Sequence, residues 1–204
     1  MAALDTALLP PLWLVHESRA TRVSIEVLRR YCKPSSRRKP CLLIANSVAA
    51  RDSHEALGLR GEYRVIGNDV DTDRFTPDRM LGLAFRRELG IAEGGLMLLQ
   101  VGRYHRHKGQ DLLLEAAFGV LRRWRSANLV LVGSGVESIR HRIFDDAELS
   151  RRVHRVADRD DLVPVYRAAD LLINPSLTES FPTVVIEAMS CAVPCVVLHQ
   201  RFSR

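Results

Sequence analysis

Hydrophobic residues along this chain fall into short unbroken runs, separated by longer segments in which they recur every three or four positions. The runs predict strands over Leu12–Val15, Cys41–Ala45, Arg64–Ile66, Leu96–Val101, Leu129–Val132, Arg152–Val156, Asp170–Ile173 and Cys195–Leu198. The longer segments predict helices over Arg19–Tyr31, Ser47–Leu57, Arg79–Leu89, Gln110–Trp124, Val136–Asp145, Leu162–Ala168 and Thr183–Cys191. In DLLLEAAFGVLRRWR the apolar positions 112, 113, 116, 117, 120, 121 and 124 keep the helical period. NLVLVGSG is instead a continuous apolar run ending in glycines, as a strand covered on both faces requires.

Strand and helix alternate with short links, which means an α/β fold: a Rossmann-like parallel sheet with helices on both faces. Ligands of such sheets bind beyond the carboxyl ends of the strands. That rule directs attention to His16, GRYHRHKG, GSG and SLTES, each of which follows a strand. KPSSRRKP (33–40) reads as a loop, and GNDVDTDRFTPD (67–78) as a connection between two units.

Composition changes this picture little. The 204 residues are 47% hydrophobic and 26% charged, ordinary for a soluble globular protein and enough for one domain and part of another. No apolar run approaches the roughly 20 residues that span a bilayer. LLPPLWLV lacks a basic leader and carries Asp5 before it, so it does not read as a signal peptide, and a cytoplasmic protein is expected. Cys32, Cys41, Cys191 and Cys195 have no zinc spacing, and free thiols in a reducing compartment are the simpler reading. The net charge of +6 invites anionic partners. Only 6% of residues are aromatic and none interleaves with the basic runs, so a nucleic-acid partner is not expected.

Two segments carry chemistry. VGRYHRHKG sets Arg103 and Lys108 just past a strand, where a planar fork of donors and a compact charge can clamp a diphosphate. A solvated basic turn is the plain alternative. SLTESFPTVVIEA puts Pro182 at the first turn of a helix, so the N–H groups of Thr183 and Val184 point beyond the strand end and favour an anion. Glu187 follows Thr183 by four residues on the same helix face, whereas Glu179 lies in the preceding loop. DVDTD (69–73) suggests a metal site, but a turn built on Asp side chains fits its place before Pro77 better. His16 ends an apolar strand and taken alone reads as structural.

In order and spacing, IANSVAARD, VIGNDVDTDRFTPD, VGRYHRHKGQDLLLEA, LVLVGSG, VYRAADLLINPSLTESFPTVVIEAM and AVPCVV together resemble the retaining glycosyltransferases of family 4, which pair two Rossmann-like domains in the GT-B fold. The resemblance implies a hexosyl transfer from a nucleotide sugar with retention of anomeric configuration. It implies no cofactor and no metal, the donor being the substrate. Arg103, Lys108 and the segment Phe181, Pro182, Thr183 and Val184 would hold the donor diphosphate, and Glu187 the nucleotide ribose. His16 and Glu179 would be the catalytic residues that meet the transferred sugar. A glycan or lipid-linked acceptor is implied, with peripheral contact at the inner membrane surface. A nucleotide-binding or partner domain without turnover is the alternative.

By the same resemblance, residues 1–75 correspond to the end of an N-terminal, acceptor-side domain and a linker. Residues 76–204 correspond to a C-terminal nucleotide-sugar-binding domain without its last elements, so a partial chain is expected. Asp69 and Ala192 stand where the family carries glycine, and at positive φ each would cost about 1–2 kcal/mol.

Overall fold

A computed structural model describes residues 12–15, as backbone only, and 42–198. The chain divides into two compact units. The first comprises residues 1–68 together with Glu179–Phe181; the second comprises 69–178 and 182–204.

The first unit contains β1 (Leu12–Val15), β2 (Leu42–Ala45), α1 (Val48–Ala56) and β3 (Glu62–Val65). Its sheet is parallel throughout in the order β1-β2-β3, with Leu12 opposite Leu42 and Leu42 opposite Glu62. Leu43 and Ala45 of β2 are fully buried. Ser47 starts α1 by accepting the Ala50 N–H at 3.0 Å, as a helix whose first N–H groups lack partners requires. The helix expected over 19–31 lies outside the described residues.

The second unit contains α2 (Arg79–Glu88), β4 (Leu96–Val101), α3 (Gln110–Arg123), β5 (Ala127–Val132), α4 (Ala147–Ser150), β6 (Val153–Val156), α5 (Val163–Ala168), β7 (Leu171–Asn174), α6 (Thr183–Ser190) and β8 (Cys195–Val197). Its five strands are all parallel, in the order β6-β5-β4-β7-β8. The alternation along β5 fills both faces. Val130 and Val132 meet Phe85, Met97, Leu99 and Tyr166 on one side. Leu129 and Leu131 meet Leu114, Leu121, Ile139 and Ile143 on the other. Such two-sided burial is why the central strands read as unbroken apolar runs.

Phe75, which the sequence grouped with the linker, is buried in this core edge-to-face with Tyr166, their ring centroids 5.9 Å apart. Arg86 fastens α2 to the sheet: its guanidinium donates to the Ala168 carbonyl (2.7 Å), the Gly95 carbonyl (2.8 Å) and Asp170 Oδ2 (2.5 Å). Asp170 Oδ2 in turn accepts the N–H of Met97 at 2.8 Å, so a largely buried pair is also fully hydrogen-bonded. Where α2 meets α5, only glycine fits, since a Cβ on Gly82 would lie 2.5 Å from the Arg167 carbonyl.

One expected helix does not form. The segment 136–145 makes two short 3₁₀ turns, Val136–Ser138 and Arg142–Asp145, with non-helical backbone at Ile139 and extended backbone at His141. Val136, Ile139 and Ile143 keep helical spacing and are all buried, but the helical hydrogen bonds are replaced. Arg155 Nη1 donates to the Glu137 and Ile139 carbonyls, and His141 Nδ1 accepts the Ile143 N–H. Short α4, absent from the sequence reading, starts on the Asp146 carboxylate, which accepts from Glu148 and Leu149 N–H. The acidic segment 69–73 is a turn: Asp71 Oδ1 accepts the N–H groups of Asp73 and Arg74, both at 3.1 Å. Among the described residues no helix is long and apolar enough to cross a membrane.

Ala192, with φ 57°, is the only non-glycine residue at positive φ among those described, so Asp69 carries no such strain. Ala192 closes α6 in a Schellman arrangement, in which Val193 N–H bonds Ala188 C=O and Ala192 N–H bonds Met189 C=O, both at 2.9 Å. Replacing the strained alanine relieves about 1–2 kcal/mol, less the unfolded-state entropy that glycine adds. Ala192→Gly is therefore expected to raise unfolding free energy by about 0.5–1 kcal/mol in urea titration at unchanged slope. Gly82→Ala is expected to lower it by about 1–3 kcal/mol, because backbone rather than a flexible side chain blocks the new methyl.

Candidate functional site

Counted outward from β4, the order of the second sheet is the Rossmann one, with β5 and β6 on one side and β7 and β8 on the other. Chains leaving β4 and β7 thus diverge to opposite sides of the sheet, and the crevice between their loops is where α/β sheets hold ligands.

The loop after β4 is shaped by glycines at two points of close approach. Gly102 N–H donates to the Val132 carbonyl at 2.8 Å, and a Cβ on Gly133 would lie 2.5 Å from the Gly102 carbonyl oxygen. Gly109, with φ 69°, opens α3; a Cβ there would lie 2.2 Å from the Pro175 carbonyl oxygen. Buried Gln110 fixes the loop from within by donating Nε2 to the Arg103 and Gly102 carbonyls at 3.0 and 3.3 Å. Arg103 is consequently held by its backbone while its side chain is exposed. Lys108 ends the 3₁₀ turn Arg106–Lys108 and is half-buried, its methylenes passing close to Gly102.

The loop after β7 is joined to this one by a single backbone hydrogen bond, Leu177 N–H to the His107 carbonyl at 2.7 Å. Buried Asn174 and Ser176 stiffen its start, Ser176 Oγ donating to Asn174 Oδ1 at 2.7 Å. The loop then enters α6. Pro182 is the N-cap residue itself, and no side chain caps the helix. The first-turn N–H groups of an α-helix have no intrahelical partner and carry the positive end of its dipole. Thr183, exposed, and half-buried Val184 stand at that end.

Glu187 sits one turn further along α6, half-buried, with its Oε2 accepting a 2.6 Å hydrogen bond from the hydroxyl of Tyr166 on α5. Burial first, and the neighbouring carboxylate second, push the Tyr166 hydroxyl far above the ordinary phenol range, so it stays protonated and acts as donor. Burial likewise raises the thiols of Cys191 and Cys195, which are free, and so disfavours their thiolate forms.

Of the residues singled out from the sequence, Arg103, Lys108, Pro182, Thr183, Val184 and Glu187 all belong to the second unit and lie on or beside these two loops. Glu179 and Phe181 group with the first unit. There Ser180 Oγ accepts from buried Asn46 Nδ2 at 3.1 Å, and the Phe181 ring packs against Gly67. His16, Cys32 and Cys41 lie outside the described residues. Tyr166, Gln110 and Asn46 escaped the sequence reading, since nothing local distinguishes a tyrosine inside an apolar helix from an ordinary core residue.

A family model for glycosyl transferases group 1 matches residues 95–202, more than half of the chain and the whole of both loops. The chain belongs to this family. It is 39% identical over 176 residues to a D-inositol 3-phosphate glycosyltransferase of Geodermatophilus obscurus, covering 74% of this chain and 38% of that protein. To the D-inositol 3-phosphate glycosyltransferase of Corynebacterium urealyticum it is 32% identical over 187 residues, 82% of this chain and 43% of that one. The chain spans about two-fifths of the length of these curated relatives. Among solved structures, HepE of Anabaena in complex with UDP-glucose superposes with a TM-score of 0.77 at 24% identity, over 92% of this chain and 53% of that one. The fold is thus that of GT-B glycosyltransferases, with the five-stranded sheet corresponding to their C-terminal domain.

Gly109 is the tightest contact between the two loops. Gly109→Ala, which adds a blocked methyl at positive φ, is expected to cost about 2–4 kcal/mol in equilibrium unfolding. Gly119→Ala, where a Cβ meets nothing within 4 Å, supplies the control and is expected to be neutral or stabilising.

Proposed function

We propose that this chain carries the donor site of a retaining, metal-independent hexosyltransferase that uses a UDP-sugar. One observation carries the reading: a turn carrying two cations and an uncapped helix N-terminus follow neighbouring strands at one switch point of a parallel sheet, with a carboxylate one turn along that helix. Phosphate oxygens suit Arg103, Lys108 and the N–H groups of Thr183 and Val184. A ribose diol suits the carboxylate of Glu187, which accepts hydrogen bonds and offers none. Uridine as the base is supported by the UDP-glucose and UDP complexes of the Anabaena neighbour.

The chemistry follows from where charge develops. The bond from the anomeric carbon to the β-phosphate oxygen breaks and its electron pair stays with the diphosphate. Arg103, Lys108 and the positive end of α6 stabilise that growing charge without reorganising, the role a metal ion fills elsewhere. The acceptor hydroxyl oxygen bonds the anomeric carbon from the face the diphosphate leaves, and its proton passes to the departing phosphate oxygen, so configuration is retained. Glu179 and His16 orient the sugar in this reading, with Phe181 and Pro182 shaping the turn beside the phosphates. The acceptor is a glycan or a lipid-linked hydroxyl, met in the cytoplasm by peripheral contact with the membrane.

Calorimetric titration of the 204-residue chain with UDP, GDP and ADP tests the donor site. UDP is expected to bind with one site, and Arg103→Ala and Lys108→Ala are each expected to weaken it about 10- to 100-fold without moving the urea midpoint. A folded chain that binds none of the three nucleotides would falsify the reading.

A further inference from the structure

Resting on the reading of Glu187 as the ribose ligand, we infer that Tyr166 is the positioning residue that fixes that carboxylate for nucleotide recognition. The hydroxyl donates to Oε2 at 2.6 Å, the short distance of a charge-assisted O–H···O⁻ bond. One of the four lone-pair sites of the carboxylate is thereby taken, and those that remain, on Oε1 and the second lobe of Oε2, suffice for two ribose hydroxyls.

The donor side of this bond is immobile. Tyr166 is fully buried, and its ring meets Phe75 edge-to-face. The next residue, Arg167, locks α5 from outside through the Thr76 carbonyl at 2.8 Å and Thr76 Oγ1 at 2.6 Å. Phe75 also touches the acceptor side, because its carbonyl accepts from Ser190 Oγ at the far end of α6. Residues 75–76 therefore tie together the two helices that carry Tyr166 and Glu187. A half-exposed glutamate otherwise samples several rotamers, and a ligand that selects one loses affinity in proportion. Held by Tyr166, the carboxylate meets the ribose already ordered. A buried tyrosine hydroxyl would be satisfied equally well by any backbone carbonyl. That it takes instead the single carboxylate of α6, one turn from the helix N-terminus, links core and site.

The test measures affinity for UDP and for 2′,3′-dideoxyUDP in wild type, Tyr166→Phe, Glu187→Gln and the double variant. Wild type is expected to prefer UDP by at least about tenfold, and Tyr166→Phe to lose most of that preference through weaker UDP binding, with dideoxyUDP affinity unchanged. Tyr166→Phe added to Glu187→Gln is expected to change nothing more. Near-UV circular dichroism checks the fold, and the same comparison in an Ala192→Gly background serves should Tyr166→Phe be marginal. If wild type prefers UDP and Tyr166→Phe keeps that preference, or loses affinity equally for both nucleotides, Tyr166 is structural only and the inference fails alone. If wild type itself does not distinguish the two nucleotides, the ribose role of Glu187 fails and this inference goes with it.

Discussion

One backbone hydrogen bond, from Leu177 N–H to the His107 carbonyl at 2.7 Å, joins the loops that leave β4 and β7. It can form only because the strands run parallel, which brings every carboxyl end to the same edge of the sheet, and because these two strands are neighbours. The chain must leave them toward opposite sides, so the loops part immediately after their point of contact. Everything polar that gathers there depends on this: the cationic turn on one lip, the uncapped start of α6 on the other. Glycine is required wherever backbone touches backbone, at Gly133 against Gly102 and at Gly109 against Pro175.

The opposite edge of the sheet is held by charge instead. Arg86 and Asp170 satisfy one another and three backbone groups between them, counting the N–H of Met97. A partly desolvated ion pair is tolerable on these terms, since each guanidinium nitrogen and both carboxylate oxygens find a partner. One end of the sheet is thus closed by a saturated network. At the other end the donors of Arg103 and of the first turn of α6 remain directed outward, and an arrangement of that kind is suited to binding.

Glu187 shows how a carboxylate on an apolar helix can be partnered by the core while part of it stays exposed. Within VVIEAM a carboxylate looks misplaced, since its neighbours on α6 are apolar and Ala188 is fully buried. The structure supplies the partner in Tyr166 and still leaves Glu187 partly exposed. Of the two explanations for a charge in an apolar run, the core partner is present in Tyr166, and service to a ligand is the role proposed for the same side chain. Ala192 is the counterpart in the backbone: a Schellman cap whose geometry calls for glycine is held in the left-handed region by the hydrogen bonds on either side of it.

The sequence by itself determined the fold class, the strands and most of the helices, because two-sided burial writes unbroken apolar runs and one-sided burial writes a 3.6-residue period. It also set Arg103, Lys108 and Thr183 beyond the carboxyl ends of their strands, since a residue that follows a strand in a parallel sheet has only one edge at which to emerge. What it could not show were relations between distant segments. The apolar period of 136–145 is genuine, yet hydrogen bonds from Arg155 and His141 displace the helix that the period describes. Phe75 belongs to a core whose other members come from six elements, and no window around it reveals that. The pairing of Tyr166 with Glu187 spans 21 residues and two helices. Local propensity acts on neighbours in the chain, whereas a hydroxyl finds its acceptor only after α5 and α6 have packed on the same face of the sheet.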